Sequence, residues 1–432
     1  EAGCGFTGCN NYEAGDGPTG CVNLECKRPV CQGGATTTVS GKVFDPKGDT
    51  PLYNVVVYIP NSDPKPIQHG AVCDTCGSVA VNPVGESVLT NTKGEFVIKN
   101  APAGSDIPLV IQVGKWRKEM TVNVQPCIDN RFDDPEKMHL PRNQSEGEMP
   151  KMAITTGGCD PLGCLFRRMG IDESEFTSPS GKGAMHVYKG SGGGDVKGGG
   201  APAPETTLWN DVNSLQKYDI VLLSCECGEQ NQTKPAASKK AMRDYLNLGG
   251  RVFATHFHYT WFKNGEPDLA GLANWDSPGG LGFTFNIDQT FPKGQALADW
   301  LVNVGASPSK GIITLQDTAE DVGSVNAGAQ LQAGVRERLD HPFGRPRGDQ
   351  VTPIRGRLLE HRDDVVAERS EAERQADILA VTELRPAWSR DLELCGYATF
   401  GDVEECAEQT TDVERGRVVA LTFFPRRVFN ER

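Results

Sequence analysis

Asp219-Ile220-Val221-Leu222-Leu223-Ser224 is apolar from its second residue to its fifth. A short run that is apolar on both faces reads as a central strand of a parallel sheet, because alternation disappears when both faces are covered. Downstream, 237–248 places Ala241, Tyr245 and Leu248 at helical spacing and stops at Gly249-Gly250. Arg251-Val252-Phe253-Ala254-Thr255 then returns as a strand. Upstream, Met152-Ala153-Ile154-Thr155-Thr156 reads as a strand ending at Gly157-Gly158, followed by Leu162, Leu165, Phe166 and Met169 on one helix face. Met185-His186-Val187-Tyr188 adds a strand, Leu208, Val212 and Leu215 a helix, and Leu297, Trp300, Leu301 and Val304 a last helix closed by Gly305. Strands alternating with helices predict an open, flavodoxin-like α/β sheet over 151–330, with functional groups at the strands' C-terminal ends.

Before this segment the rhythm is all β. Val39, Gly41 and Val43 alternate with polar residues, as do Val55, Val57 and Ile59. The stretches 109–113 and 121–124 supply two more strands, and Asp45-Pro46-Lys47-Gly48, Asn91-Thr92-Lys93-Gly94 and Ala101-Pro102-Ala103-Gly104 supply turns. A small all-β sandwich over 36–127 is expected, preceded by a Cys/Gly-rich leader (1–35) and followed by a polar linker (128–150).

Two resemblances sharpen this outline. Val39-Ser40-Gly41-Lys42-Val43-Phe44-Asp45, Val55-Val56-Val57 and the run from Thr90 through Gly94 to Phe96 resemble the carboxypeptidase regulatory-like (transthyretin-like) sandwich. That family implies a hairpin turn at the glycine, the Phe in the core and, through related sandwiches, a carbohydrate-binding-like fold. A spacer that displays its neighbour is the plainer role. Tyr218-Asp219-Ile220-Val221-Leu222-Leu223 and Gly249-Gly250-Arg251-Val252-Phe253-Ala254-Thr255-His256 resemble the class I glutamine-amidotransferase-like fold, especially its trehalose-utilisation (ThuA-like) branch. In that branch a Gly-Gly strand ends in a His, the place of His256, instead of a catalytic Cys. Residues 36–325 together look like uncharacterised secreted bacterial proteins that join these two modules, a resemblance also carried by Asn143-Gln144-Ser145-Glu146-Gly147 and the stretch 298–305.

Fourteen cysteines, five of them within the first 31 residues, point to an oxidising compartment and a disulfide framework. Cys73, Cys76, Cys127, Cys159, Cys164, Cys225 and Cys227 are the disulfide candidates beyond the leader. Cys73-Asp74-Thr75-Cys76 with His69 also has zinc spacing, but a second CxxC or HxxxH is missing from the sequence. Glu1-Ala2-Gly3-Cys4 resembles the end of a lipoprotein cleavage box, so the chain is expected to be exported, with a lipid anchor as a further option. No run of 18 apolar residues offers a transmembrane segment.

Net charge is −13 over 432 residues, which argues against a nucleic-acid partner. That charge is an average of unlike parts. Residues 1–310 hold 20 Lys and 8 Arg, whereas 311–432 hold no Lys and 16 Arg. From 331 onward, Arg-x-Arg doublets replace both strand alternation and glycine punctuation. An out-of-frame or fused segment in a GC-rich gene would have this bias. Reading the other two frames across the junction tests it, and the idea fails if neither continues the α/β pattern. The competing reading is an amphipathic helix, from the heptad spacing of Leu358, Val365, Ala372 and Leu379.

Amidotransferase chemistry needs a Cys on a tight elbow with small flanking residues. Cys225 and Cys227 lack such a G-x-C-x-G setting, no later His-x-Glu completes a triad, and the two are expected to be disulfide-bonded. The Gly-rich stretch 191–200 lacks the Gly-Lys-Ser/Thr of a phosphate loop and reads as a surface loop. The sharper candidate is Thr255-His256-Phe257-His258-Tyr259-Thr260-Trp261. If extended, His256 and His258 face the same way, as two zinc ligands must, and Glu226 and Asp160 could add carboxylates from neighbouring strand ends. The blander option is that these groups, with Tyr259 and Trp261, line a binding cleft. The leading expectation is therefore a noncatalytic secreted or cell-surface protein binding glycan or another cell-envelope component without a cofactor. The alternative is a metal-assisted hydrolase in which His256 and Glu226 are catalytic and His256 and His258 hold zinc.

Overall fold

The computed structural model describes residues 21–72, 82–196, 202–275, 280–319, 322–327, 329 and 333–335. Cys73 and Cys76, the leader before Cys21, the glycines at 198–200 and nearly all of the Arg-rich segment lie outside them. The protein has mixed α/β content with several sheets, one of them parallel and six-stranded.

In the N-terminal part, β1 (Thr38–Lys42) lies between antiparallel β4 (Glu95–Lys99) and parallel β7 (Asp129–Phe132). A second, antiparallel sheet runs β3 (Val88–Leu89), β2 (Val56–Tyr58), β5 (Gly104–Val113), β6 (Trp116–Val124). Alternate residues of both sheets, among them Val39, Val57, Ile98, Ile107, Leu109 and Ile111, share one core. Gly41 is required where β7 crosses β1: a Cβ there would sit 1.7 Å from the Phe132 carbonyl oxygen. Gly94, at φ +75°, closes the turn that bonds its N–H to Asn91 O.

Two stretches read as loose segments are tied into this core. The polar stretch 128–150 contributes β7, and its Met138 and Leu140 are buried in the core; its Pro and charged residues masked both signals. The end of the leader is fastened by disulfides Cys21–Cys26 and Cys31–Cys127 and by Leu24 N–H donating to Asn61 Oδ1.

The parallel sheet has the order β11 (Ala203–Pro204), β10 (Met185–Lys189), β8 (Met152–Thr156), β12 (Ile220–Leu223), β13 (Arg251–Ala254), with β9 (Phe176–Thr177) also beside β10. Side-chain alternation divides the core. Ala153, Val221, Leu223, Val252 and Ala254 pack with α2 (Thr206–Trp209), α3 (Val212–Leu215), α4 (Ala236–Asn247), α5 (Thr260–Lys263) and α6 (Pro267–Ala270). Met152, Ile154, Met185, Val187 and Leu222 pack with Leu162 of α1 (Leu162–Arg168). The single helix expected over 208–215 is two short ones, because Asp211 breaks the first and its side chain caps the second by accepting Asn213 N–H.

Further on, β14 (Ala273–Trp275) pairs with β17 (Val322–Val325), and β15 (Gly280–Ile287) lies between β16 (Ile312–Ala319) and β18 (Ala333–Val335). Helix α7 (Pro292–Asn303) packs its Ala298 and Leu301 with Phe285, Ile287, Ile313 and Leu315. β18 carries the folded pattern a few residues beyond the expected limit of 330.

The two parts are bonded to each other at several points. Asp219, 1% exposed, accepts Lys115 Nζ at 2.5 Å and Gly70 N–H at 2.9 Å on Oδ1, and Lys151 N–H at 2.6 Å on Oδ2. His69 Nδ1 lies 3.2 Å from Oδ2. Elsewhere Trp300 Nε1–H donates to Pro51 O, and Asn303 Nδ2 to Thr92 O.

Candidate functional site

The chain leaves β8 toward β10 on one side and later returns to β12 on the other. This reversal puts a topological switch point between the C-terminal ends of β8 and β12, the place where open α/β sheets form a crevice. Gly157-Gly158-Cys159-Asp160 follows β8, and Ser224-Cys225-Glu226-Cys227 follows β12.

The two ends are joined across that point. Cys159 and Cys227 form a disulfide with Cα atoms 5.3 Å apart. Cys159 N–H donates to Cys225 O at 3.1 Å, and Cys225 N–H donates to Asp160 Oδ2 at 3.1 Å. Gly157 permits this approach, since a Cβ there would meet Cys225 O at 2.1 Å. The expected pairing of Cys225 with Cys227 is therefore corrected. Cys227, turned outward at φ +61°, reaches Cys159 on the neighbouring strand end, while Cys225 points inward as a buried thiol. Cys127 pairs with Cys31, and Cys164 is disulfide-bonded as well.

His256 lies beside the thiol, with Nδ1 3.3 Å from Cys225 Sγ. Burial lowers its pKa below the ordinary imidazole value, against an opposing influence from the Asp160 carboxylate. Asp160, Cys225 and His256 thus converge at the switch point.

His258 does not join them. The extended backbone on which the His256/His258 pair depended is absent: 256–259 form a 3-10 turn, with His256 at φ +39°. That turn rotates His258 into the core. Its Nε2–H donates to Ser224 O at 2.8 Å, and its Nδ1 accepts Trp261 Nε1–H at 3.1 Å. A carbonyl only accepts and an indole N–H only donates, so the tautomer is fixed and both ring nitrogens are engaged. Burial, then the Lys234 charge, pushes its pKa down to about 3. Trp261 is fully buried against Trp209, and Tyr259 is 5% exposed with its hydroxyl on Glu229, so neither lines an open cleft. Among the described residues no three His, Cys, Asp or Glu side chains form a metal-ligand group.

Glu226 belongs to a second cluster on the far side of its own strand end. Its Oε2 pairs with Lys234 Nζ at 2.5 Å, both side chains 1% exposed, and its Oε1 accepts Ser191 N–H at 2.9 Å. Lys234 also lies over the rings of Trp209 and Trp261, at 5.4 and 6.0 Å. Glu205, which nothing in the sequence singled out, completes the cluster. Burial, and then the neighbouring Glu226 carboxylate, pushes its pKa up to about 7. Gly190 makes room for them: a Cβ there would lie 3.0 Å from Glu226 Oε1 and 3.4 Å from Glu205 Oε2. The glycine-rich loop after β10 is thus a packing element whose backbone meets Thr156 and Gly158.

Comparison with family models, with curated proteins and with solved structures finds no match to this chain.

Proposed function

We propose that the protein is an exported binding protein in which a regulatory-like β-sandwich carries a noncatalytic, amidotransferase-like α/β domain. Its ligand is a polyhydroxyl compound, a glycan or another cell-envelope component, seated at the switch-point crevice. One observation carries the reading: the strand ends that form the crevice are fixed to one another by the Cys159–Cys227 disulfide, by the Cys159 N–H to Cys225 O bond and by the Asp160 carboxylate accepting Cys225 N–H. A preformed, rigid polar rim suits recognition of hydroxyls at low ordering cost. Half-buried His256 offers a ring nitrogen for a hydroxyl contact, and the backbone of the exposed Ser191-Gly192 turn lies beside Gly158, just past the end of β8. The disulfides among the described residues suit an oxidising compartment, and none of the described helices is long and apolar enough to cross a membrane. The metal-assisted alternative keeps His256 but loses His258, whose ring nitrogens are both engaged.

A glycan array probed with the whole protein tests this. Binding that falls at least tenfold in His256→Ala, with the thermal melt unchanged, is the expected result. No signal across the array, or a signal indifferent to His256, removes the reading.

A further inference from the structure

The switch point also gathers three cysteines of unlike state, a combination that binding does not require. Cys159 and Cys227 are oxidised, and Cys225 carries a thiol. Cys227 is solvent-exposed and Cys159 half-buried, while Cys225 is fully buried behind them. Cys225 is one residue removed from Cys227 along the chain and one backbone hydrogen bond, 3.1 Å, from Cys159 across the strands. The left-handed backbone at Cys227 (φ +61°) is an unfavourable conformation for a side chain bearing a Cβ, and the cross-strand bond maintains it. Beside the thiol, His256 Nδ1 at 3.3 Å is placed to take its proton.

We infer that Cys159, Cys225 and Cys227 form an intramolecular thiol–disulfide switch that an external thiol triggers, with Cys227 as the attacked sulfur and Cys225 as the resolving one. In the first step an external thiolate attacks the exposed Cys227 Sγ. The Cys159–Cys227 bond breaks, a mixed disulfide forms on Cys227, and Cys159 leaves as a thiolate that takes up a proton. In the second, Cys225 passes its proton to His256 and attacks Cys227 Sγ. The external thiolate is expelled, and a Cys225–Cys227 disulfide remains. The number of disulfides is the same before and after, so no oxidant is consumed. The crosslink has moved from between two strand ends to within one, and the crevice between β8 and β12 loses its staple. This centre does not depend on the identity of the crevice ligand.

The test uses the full chain and reduced glutathione as the probe thiol. Aliquots are quenched with N-ethylmaleimide, and disulfide-linked peptides are mapped by mass spectrometry without reduction. The expected result is conversion of Cys159–Cys227 peptides into Cys225–Cys227 peptides, with Cys159 becoming alkylated. In Cys225→Ser, glutathione should accumulate on Cys227 at least tenfold above wild type, because the resolving sulfur is gone. In His256→Ala, the second step should slow relative to the first. An unchanged Cys159–Cys227 map under thiol, with Cys225 alkylated only after denaturation, overturns the proposal. Should Cys225→Ser fail to fold, the wild-type time course decides alone, since the Cys225–Cys227 peptide either appears or does not.

Discussion

Glu205 and His258 titrate in opposite senses, and their effects on stability offset one another. Glu205 has a folded pKa of about 7 against an ordinary 4.5, so the native state holds the extra proton between those values. Its contribution is present below about pH 4.5 and is lost as pH rises toward 7. His258, at about 3 against 6.5, is neutral in the native state where the unfolded chain would be charged. Its contribution is present above pH 6.5 and is lost as pH falls. Between about 4.5 and 6.5 the two slopes cancel. Glu205→Gln should therefore expose the histidine, so that stability relative to wild type falls with acidification by about 1.4 kcal/mol per pH unit in that window. Urea titrations at pH 4.5, 5.5 and 6.5 read this directly, and parallel curves for the two proteins would refute it. A related prediction concerns His258 alone. His258→Ala strands Ser224 O and the Trp261 indole N–H in the core and leaves a cavity, at a cost of about 2–4 kcal/mol in the same assay. None of this pairing could be seen in the sequence. Glu205 and Glu226 come together only because Gly190 lets the loop after β10 lie beside the end of β12.

At the scale of elements, β12 is held at both ends by acids of different use. Glu226 closes its C-terminal end, and Asp219 enters it from the N-terminal side while gripping Lys115, at the turn between β5 and β6. Asp219→Ala should cost about 3–5 kcal/mol, because Lys115, 7% exposed, would be left charged and unpaired. Replacing both together, with Asp219→Leu and Lys115→Met, should recover only the part due to the stranded charge, because Gly70 N–H and Lys151 N–H still lose their acceptor; a double variant as unstable as the single one would contradict it. Asp219 is also acid-sensitive. Its hydrogen bonds and the Lys115 charge outweigh burial and lower its pKa below 3.8, so its contribution is present above that value and lost as pH falls through the lowered one. The run from Asp219 to Ser224 made the central strand legible, as the helix before Gly249-Gly250 made α4 legible, because burial on both faces and glycine stops are local signals. The last sheet was less visible. Leu281, Phe283, Phe285 and Ile287 do alternate with small and polar residues as a strand should, but its partners lie as far away as Val335, so the sheet has no local signal. The histidine turn failed for a related reason: the positive φ at His256 that ends the strand has no signature in residue type.

Across the whole molecule, covalent and hydrogen-bonded closures span long stretches of chain. Cys31–Cys127 encloses a separation of 96 residues, for which loop-closure entropy predicts about 4–5 kcal/mol. A Cys31→Ala/Cys127→Ala variant should lose about that much stability by urea denaturation, and a loss under about 1 kcal/mol would show that the leader is held by other contacts. Helix α7 closes a longer circuit. Its Asn303 amide bonds Thr92, 211 residues earlier, and its Trp300 indole bonds Pro51. A chain synthesised at roughly 5–20 residues per second takes about 10–40 s to travel from one end of that circuit to the other. Until that much more chain has been made, the carbonyls of Pro51 and Thr92 have no partner in α7, which therefore comes last to the surface it completes.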